Sequence, residues 1–270
     1  MSFSITKIKE NIGCEIHADK ETLLSGKHSA EIREALEAHG CFVIREINFT
    51  GEEQLAFTKT LGHVIDEGEG GIYKVTLDTK ENEHADYLKG AFYWHMDGST
   101  LDVPILASLL NGIKPSEVGG NTEFCSTYVG YEDLSDEEKA KYDGLRVVHS
   151  LAAAQYYVHP EPTLEQISTW SMMPSRSHPL VWKHQSGRKS LVIGATASHI
   201  EGMDFEEGRA LLHKLRIHCT QPKYVYSHEW TKGDLVAWDN TGTLHRATEY
   251  PLDSGRMMHR TKLEGEESIA

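Results

Sequence analysis

Cysteine is scarce in this chain and widely scattered. Cys14, Cys41, Cys125 and Cys219 form no Cys-x-x-Cys pair. That spacing argues against a zinc-thiolate site and against a disulfide framework, and free thiols in a reducing, cytoplasmic setting are expected. Basic residues are few as well: 27 Lys and Arg stand against 41 Asp and Glu, a formal net charge of −14. This balance argues against a nucleic-acid backbone or an anionic membrane as partner. A small anion held by local basic residues inside a pocket is still compatible with it. No apolar stretch approaches membrane-spanning length, and the start Met1-Ser2-Phe3-Ser4-Ile5-Thr6-Lys7 has no apolar leader core. Internal repeats, low-complexity tracts and Pro/Gly/Ser linkers are missing, so 1–270 is expected to form a single domain. At 39% hydrophobic and 25% charged residues, the chain can bury a sizeable core.

What is present begins with two short helices. In Ser29–His39, Ile32, Ala35 and Leu36 fall at helical spacing, and Gly40 follows as a stop. Thr50, with Glu53 three residues on, predicts a capped helix that runs to Leu61 and ends at Gly62. Cys41-Phe42-Val43-Ile44 between them reads as a short buried strand. From there strands dominate, at 72–77, 91–96, 105–113 and 121–125, and later at 179–184, 189–193, 224–230, 235–238, 243–247 and 256–263. Helices are expected at 127–142 and 204–217. The stretch 149–174 reads as irregular and rich in aromatics, the pattern of a lid over a site. Many short strands separated by turns suggest a sandwich or barrel, mainly β with flanking helices, rather than βαβ units.

Among 16 histidines, one triplet stands out. In a strand, residues two apart share a face, so His95 and Asp97 would converge on one point. Two such groups are most of a 2-His-1-carboxylate triad, which leaves open positions on non-haem Fe(II). The same His-x-Asp spacing recurs at His17 and His84, but in polar stretches that read as solvated. Only His95 closes an aromatic run, Ala91-Phe92-Tyr93-Trp94. His245, behind Trp238-Asp239-Asn240, is the best candidate for the third ligand. Further on, Arg256, Met258 and Arg260 would share one face of a strand, the two arginine backbones roughly 13 Å apart. Guanidinium groups lining a pocket favour carboxylates, which they bind bidentately. One or two anionic ligands beside a metal are therefore expected.

The ordered combination of Trp94-His95-Met96-Asp97, Gly119-Gly120-Asn121-Thr122, Trp238-Asp239-Asn240 leading to His245, and Gly255-Arg256 leading to Arg260 resembles the taurine and 2,4-dichlorophenoxyacetate dioxygenase family. Gly187-Arg188-Lys189-Ser190-Leu191, after His178-Pro179, resembles its mid-domain strand pair, and the resemblance covers about residues 30 to 263. It implies a double-stranded β-helix (a jelly-roll, cupin-like fold), with Fe(II), 2-oxoglutarate and O2 as cofactor and co-substrates. His95, Asp97 and His245 would bind the metal. Thr122 and Arg256 would hold the far carboxylate of 2-oxoglutarate, with Trp238 packed nearby, and Arg260 would meet an anionic group on the primary substrate. Read from spacing alone, the His245 and Arg256 strands form a hairpin; the resemblance instead places them in facing sheets.

The reaction implied is hydroxylation of a small organic acid (a carboxylate, sulfonate or sulfate ester) with release of succinate and CO2. Desaturation or oxidative rearrangement of a small metabolite is the alternative outcome, and a non-catalytic 2-oxoglutarate sensor the alternative of another class. Asp97 argues against halogenation. Where taurine-type members carry a histidine-rich stretch, this chain has Asp66-Glu67-Gly68-Glu69-Gly70-Gly71, which speaks against taurine; such an acidic loop could meet an amine, and reads rather as a solvated lid. The small residues Ala195-Thr196-Ala197-Ser198 leave room for an aromatic or alkyl body. Self-association as a homo-oligomer is left open.

Overall fold

Cys41–Ile44 is buried at every position because both of its faces are covered, as a continuous apolar run predicts. This computed structural model describes residues 3–83, 85 and 87–270. Cys41–Ile44 belongs to a seven-stranded sheet ordered Ser4–Lys7, Cys14–His17, Cys41–Ile44, Leu235–Asp239, Ala107–Lys114, Met257–Leu263, Tyr73–Val75. On one face lie the helices Ser29–His39 and Gly51–Leu61. Their Ile32, Leu36, Phe57 and Leu61 pack on Phe42, Leu109, Leu235 and Leu263. Fully burying one such side chain stabilises by about 1.5–3 kcal/mol. Against the other face stands a three-stranded sheet, Val225–His228, Thr122–Ser126 and Thr243–Ala247. Phe124 and Tyr226 from it meet Val43, Leu110, Val236, Trp238 and Met258 in one buried cluster.

The two predicted helices end as read. Gly40, at φ 72°, stops the first, and Thr50 and Glu53 form a reciprocal capping box on the second. All four cysteines are buried and free. Among the described residues, no helix is long and apolar enough to cross a membrane. His17 ends a strand and Asp19 caps the next helix, so that His-x-Asp copy is structural. His84 lies outside the described residues.

Several expectations are corrected. The segment 91–96 is not a strand: Tyr87–Phe92 is a 3-10 helix, and the Tyr93 N–H closes a turn on the Gly90 carbonyl. Only His95 makes a ladder contact there, a single bridge to His245. The segment 127–142 is two helices, Thr127–Glu132 and Asp136–Tyr142. Ser135 and Glu138 form a capping box, and a box marks a helix start, so the chain leaves the helix just before it. The irregular stretch 149–174 holds the helices Leu151–Val158 and Leu164–Ser171, the second capped by Thr163 and Gln166. The final strand starts at Met257 rather than Arg256, with a bulge between Met257 and Met258. It pairs with Ala107–Lys114 and Tyr73–Val75, while the His245 strand pairs with Thr122–Ser126. The two lie in different sheets, so the hairpin implied by spacing is not formed.

Asp239, at the end of Leu235–Asp239, carries a measurable pH signature. Its Oδ1 accepts from the Thr241 N–H at 2.8 Å and Oγ1 at 2.6 Å, while Oδ2 is buried without a partner. Burial, opposed by the Thr241 hydrogen bonds, pushes this carboxyl up to about 6. A carboxyl that holds its proton more tightly when folded costs nothing below its unfolded pKa. Its cost then grows as pH rises through the folded value. Asp239→Asn should therefore flatten the loss of stability between pH 4 and pH 7, by up to about 3 kcal/mol at neutral pH. Urea unfolding at pH 5 and pH 8 checks this; parallel pH profiles for the two proteins would contradict it.

Candidate active site

His95 and His245 come from segments 150 residues apart, and their backbones are clasped. The His95 N–H donates to the His245 carbonyl at 3.1 Å, and the His245 N–H returns to the His95 carbonyl at 2.9 Å. The ring centroids are 4.1 Å apart. Gly194 allows this close packing, since a Cβ there would lie 3.2 Å from both the His95 Cα and the Trp94 carbonyl. Asp97 completes the group: its Oδ1 is 3.8 Å from His95 Nε2 and its Oδ2 4.0 Å from His245 Nε2. One ligand atom from each of the three lies within 4.8 Å of the others.

The hydrogen bonds around these groups suit a cation. His95 Nδ1 lies 2.8 Å from the Tyr93 carbonyl, so it carries the proton and leaves the Nε2 lone pair free. Burial, then the neighbouring His95, hold His245 far below the usual histidine range, which keeps it neutral. Burial would raise Asp97, but its surroundings, including the Arg260 and Lys262 cations, outweigh it and hold this carboxyl below the usual carboxylate range. The Ser108 hydroxyl donates to Asp97 Oδ2 at 2.9 Å, and Asn240 Nδ2 donates to Ser108 at 3.2 Å. Trp238 Nε1 donates to Asn240 Oδ1 at 3.0 Å, while the Trp238 ring packs 4.5 Å from that of His245. Two neutral imidazoles and one carboxylate on a single point are a donor set for a divalent first-row metal.

Arg256 is 3% exposed, and its Nε has no partner. Its Nη2 makes a long 3.4 Å contact to the Gly120 carbonyl, and its guanidinium lies over the Tyr250 ring. Among the described residues no carboxylate pairs with it. Gly120, at φ 73°, makes room: a Cβ would sit 3.2 Å from Arg256 Nε. Thr122, two residues on, is buried and accepts from Trp230 Nε1 at 3.0 Å. A buried guanidinium without a counter-ion is a strong anion site, because its desolvation is unpaid until an anion arrives.

A cavity of about 340 Å³ opens over His95 and Asp97 and is lined by Arg260 as well. Met96, Leu101, Leu151, Ala154, Met173 and Ala195 make most of its wall apolar. Leu151, Ala154 and Met173 belong to the 149–174 segment, and Ala195 and Thr196 to the small-residue stretch. His245, Trp238, Thr122 and Arg256 are not among the lining residues. Thr196 also links outward, since its hydroxyl is 2.7 Å from Ser99 Oγ and 2.9 Å from His149 Nδ1.

Residues 4–262 match the family described as "Taurine catabolism dioxygenase TauD, TfdA family". The chain belongs to it. The alpha-ketoglutarate-dependent 2,4-dichlorophenoxyacetate dioxygenase of Burkholderia sp. (strain RASC) is 34% identical over 268 residues, which cover 90% of this chain and 88% of that one. An alkylsulfatase of Acinetobacter baylyi (strain ATCC 33305 / BD413 / ADP1) is 28% identical, covering 97% of this chain and 85% of the relative. A crystal structure of AAD-2 in complex with Mn(II) and N-oxalylglycine aligns over 100% of both chains, with TM-score 0.87 and 31% identity. The expectation of a TauD/TfdA enzyme, an oxidoreductase, is thus borne out.

Within this TauD/TfdA site, sequence reasoning missed three participants. Ser108 and Asn240 brace Asp97; Asn240 stood inside a motif already singled out, whereas Ser108 gave no local signal. Lys262 was legible by strand alternation, two residues after Arg260. The acidic loop is also corrected. Asp66 and Gly68–Gly70 are exposed, but Glu67 turns inward to the Arg260 and Lys262 side chains.

Proposed function

We propose that this chain is an Fe(II)- and 2-oxoglutarate-dependent dioxygenase that hydroxylates a small aryl or alkyl acid (a carboxylate, sulfonate or sulfate ester). The observation that carries this reading is the convergence of His95, Asp97 and His245 on one point, together with a buried Arg256 that has no carboxylate partner among the described residues. Fe(II) bound there would supply the O2-activating, C–H-oxidising chemistry that consumes 2-oxoglutarate and releases succinate and CO2. In this reading the three ligands hold the metal, and Trp238 fixes the ring of His245. Thr122 and Arg256 hold the far carboxylate of 2-oxoglutarate. Arg260 meets the acidic group of the substrate, whose body occupies the apolar wall. Segment 149–174 forms a lid that keeps water from that wall. The facing sheets make up a double-stranded β-helix within a single 1–270 domain.

The names of the relatives support the substrate class, since they include a phenoxyacetate dioxygenase and an alkylsulfatase. An anaerobic titration with Fe(II) and 2-oxoglutarate should show a single metal site whose occupancy strengthens the binding of 2-oxoglutarate. A screen of small carboxylates, sulfonates and sulfate esters should then reveal succinate release that needs both Fe(II) and an acid bearing an apolar body. Succinate release indifferent to every acid in the panel would overturn the substrate class.

A further inference from the structure

The acidic loop places a carboxylate on Arg260, the residue read above as the one that meets the substrate's anion. Glu67 Oε1 lies 3.1 Å from Arg260 Nε, and its Oε2 lies 3.4 Å from Arg260 Nη2 and 2.9 Å from Lys262 Nζ. All three side chains are less than one-fifth exposed, so this is not a loose surface pair. Arg260 is further held over the Tyr73 ring, at 4.7 Å. Glu67 takes the side-on fork of the guanidinium, formed by Nε and Nη2, and leaves Nη1 without a charged partner among the described residues. Of the three, Arg260 lines the cavity, and with Asp97 set aside as a metal ligand, Arg260, Lys262 and Glu67 together carry one unit of positive charge to spare.

We propose that Glu67 sets the charge of the head group that this enzyme accepts, restricting it to single negative charges. The proposal rests on the reading of Arg260 as the substrate-anion residue. A monoanion joining Arg260 from the cavity leaves Arg260, Lys262, Glu67 and the ligand as a neutral set of two cations and two anions. A dianion of the same shape leaves an uncompensated charge beside Glu67 in a partly desolvated site. One extra unit of repulsion at ion-pair range there is worth roughly tenfold or more in affinity. Glu67 is a positioning and charge-balancing residue, holding Arg260 by one edge while the other faces the ligand. Its loop can adopt this inward turn because Gly68, Gly70 and Gly71 take positive φ on its far side.

Phenyl sulfate and phenyl phosphate test this, being close in shape but carrying one and two charges at pH 8. Their dissociation constants are measured calorimetrically, without O2, on protein loaded with Fe(II) and saturating 2-oxoglutarate. Wild type should bind the sulfate at least about tenfold more tightly. Glu67→Gln keeps the shape and should narrow that ratio at least about fivefold, whereas Glu67→Asp, which keeps the charge, should preserve the preference. A general loosening of the site moves both constants together and leaves the ratio alone. An unchanged ratio in Glu67→Gln, or no preference in wild type, overturns the proposal. Arg260→Met separates it from the underlying reading. If phenyl sulfate binds this variant as well as wild type, or fails to bind wild type at all, the assignment of Arg260 falls first. If Arg260→Met weakens binding while Glu67→Gln leaves the ratio intact, only the role of Glu67 falls.

Discussion

Asp97→Ala should abolish substrate-dependent succinate release and weaken Fe(II) binding by about a thousandfold or more. Losing partners outside the ligand shell typically costs 10- to 100-fold at such sites, so losing the one carboxylate ligand should cost more. Charge makes the loss severe: without Asp97, two neutral imidazoles alone would face a divalent ion and a dianionic co-substrate. Metal affinity is read by anaerobic titration, and turnover by succinate. Full activity in this variant would show that the three residues are not the metal site. Ser108→Ala, which removes only the hydroxyl on Asp97 Oδ2, should retain a metal site of reduced affinity.

Arg256→Ala should raise the 2-oxoglutarate requirement by at least about 30-fold, the low end of the cost of truncating a buried charge pair. The substrate requirement should change little. Arg260→Ala should do the reverse, because Arg260 lines the cavity while Arg256 does not. Apparent constants for both ligands, measured for both variants, form a two-by-two comparison. Equal effects on the two ligands in either variant would mean that the roles have been divided wrongly. The contrast comes from burial. Arg256 has no carboxylate partner among the described residues, so the co-substrate supplies its counter-ion, whereas Arg260 is already half-compensated by Glu67.

Residues whose role is local were legible in the sequence. The buried Cys41–Ile44 strand and the Thr50/Glu53 capping box follow from periodicity and cap chemistry, and both stand as read. The His95/Asp97 convergence was right for an incomplete reason. Strand alternation predicted it, yet the segment is a turn held by one bridge to His245, and tertiary pairing replaces the missing strand. The two helices within 149–174 were missed because aromatic content outweighed the helix-forming Leu151-Ala152-Ala153-Ala154 run and the Thr163/Gln166 cap. The inward turn of Glu67 was not readable at all. An acidic loop rich in glycine looks solvated until a distant strand offers it two cations.

The order in which the chain is made bears on when the metal can arrive. His245 lies within the last tenth of the sequence, and Arg256 comes later still. The Met257–Leu263 strand is threaded between Ala107–Lys114 and Tyr73–Val75, segments synthesised far earlier. A nascent chain that has displayed His95 and Asp97 therefore has only half a site and an open slot in its main sheet. On the proposed ligand set, metal capture waits for His245, which is made 150 residues after His95. Chains truncated before Thr243 should emerge unable to retain metal, however much of the remaining fold they acquire.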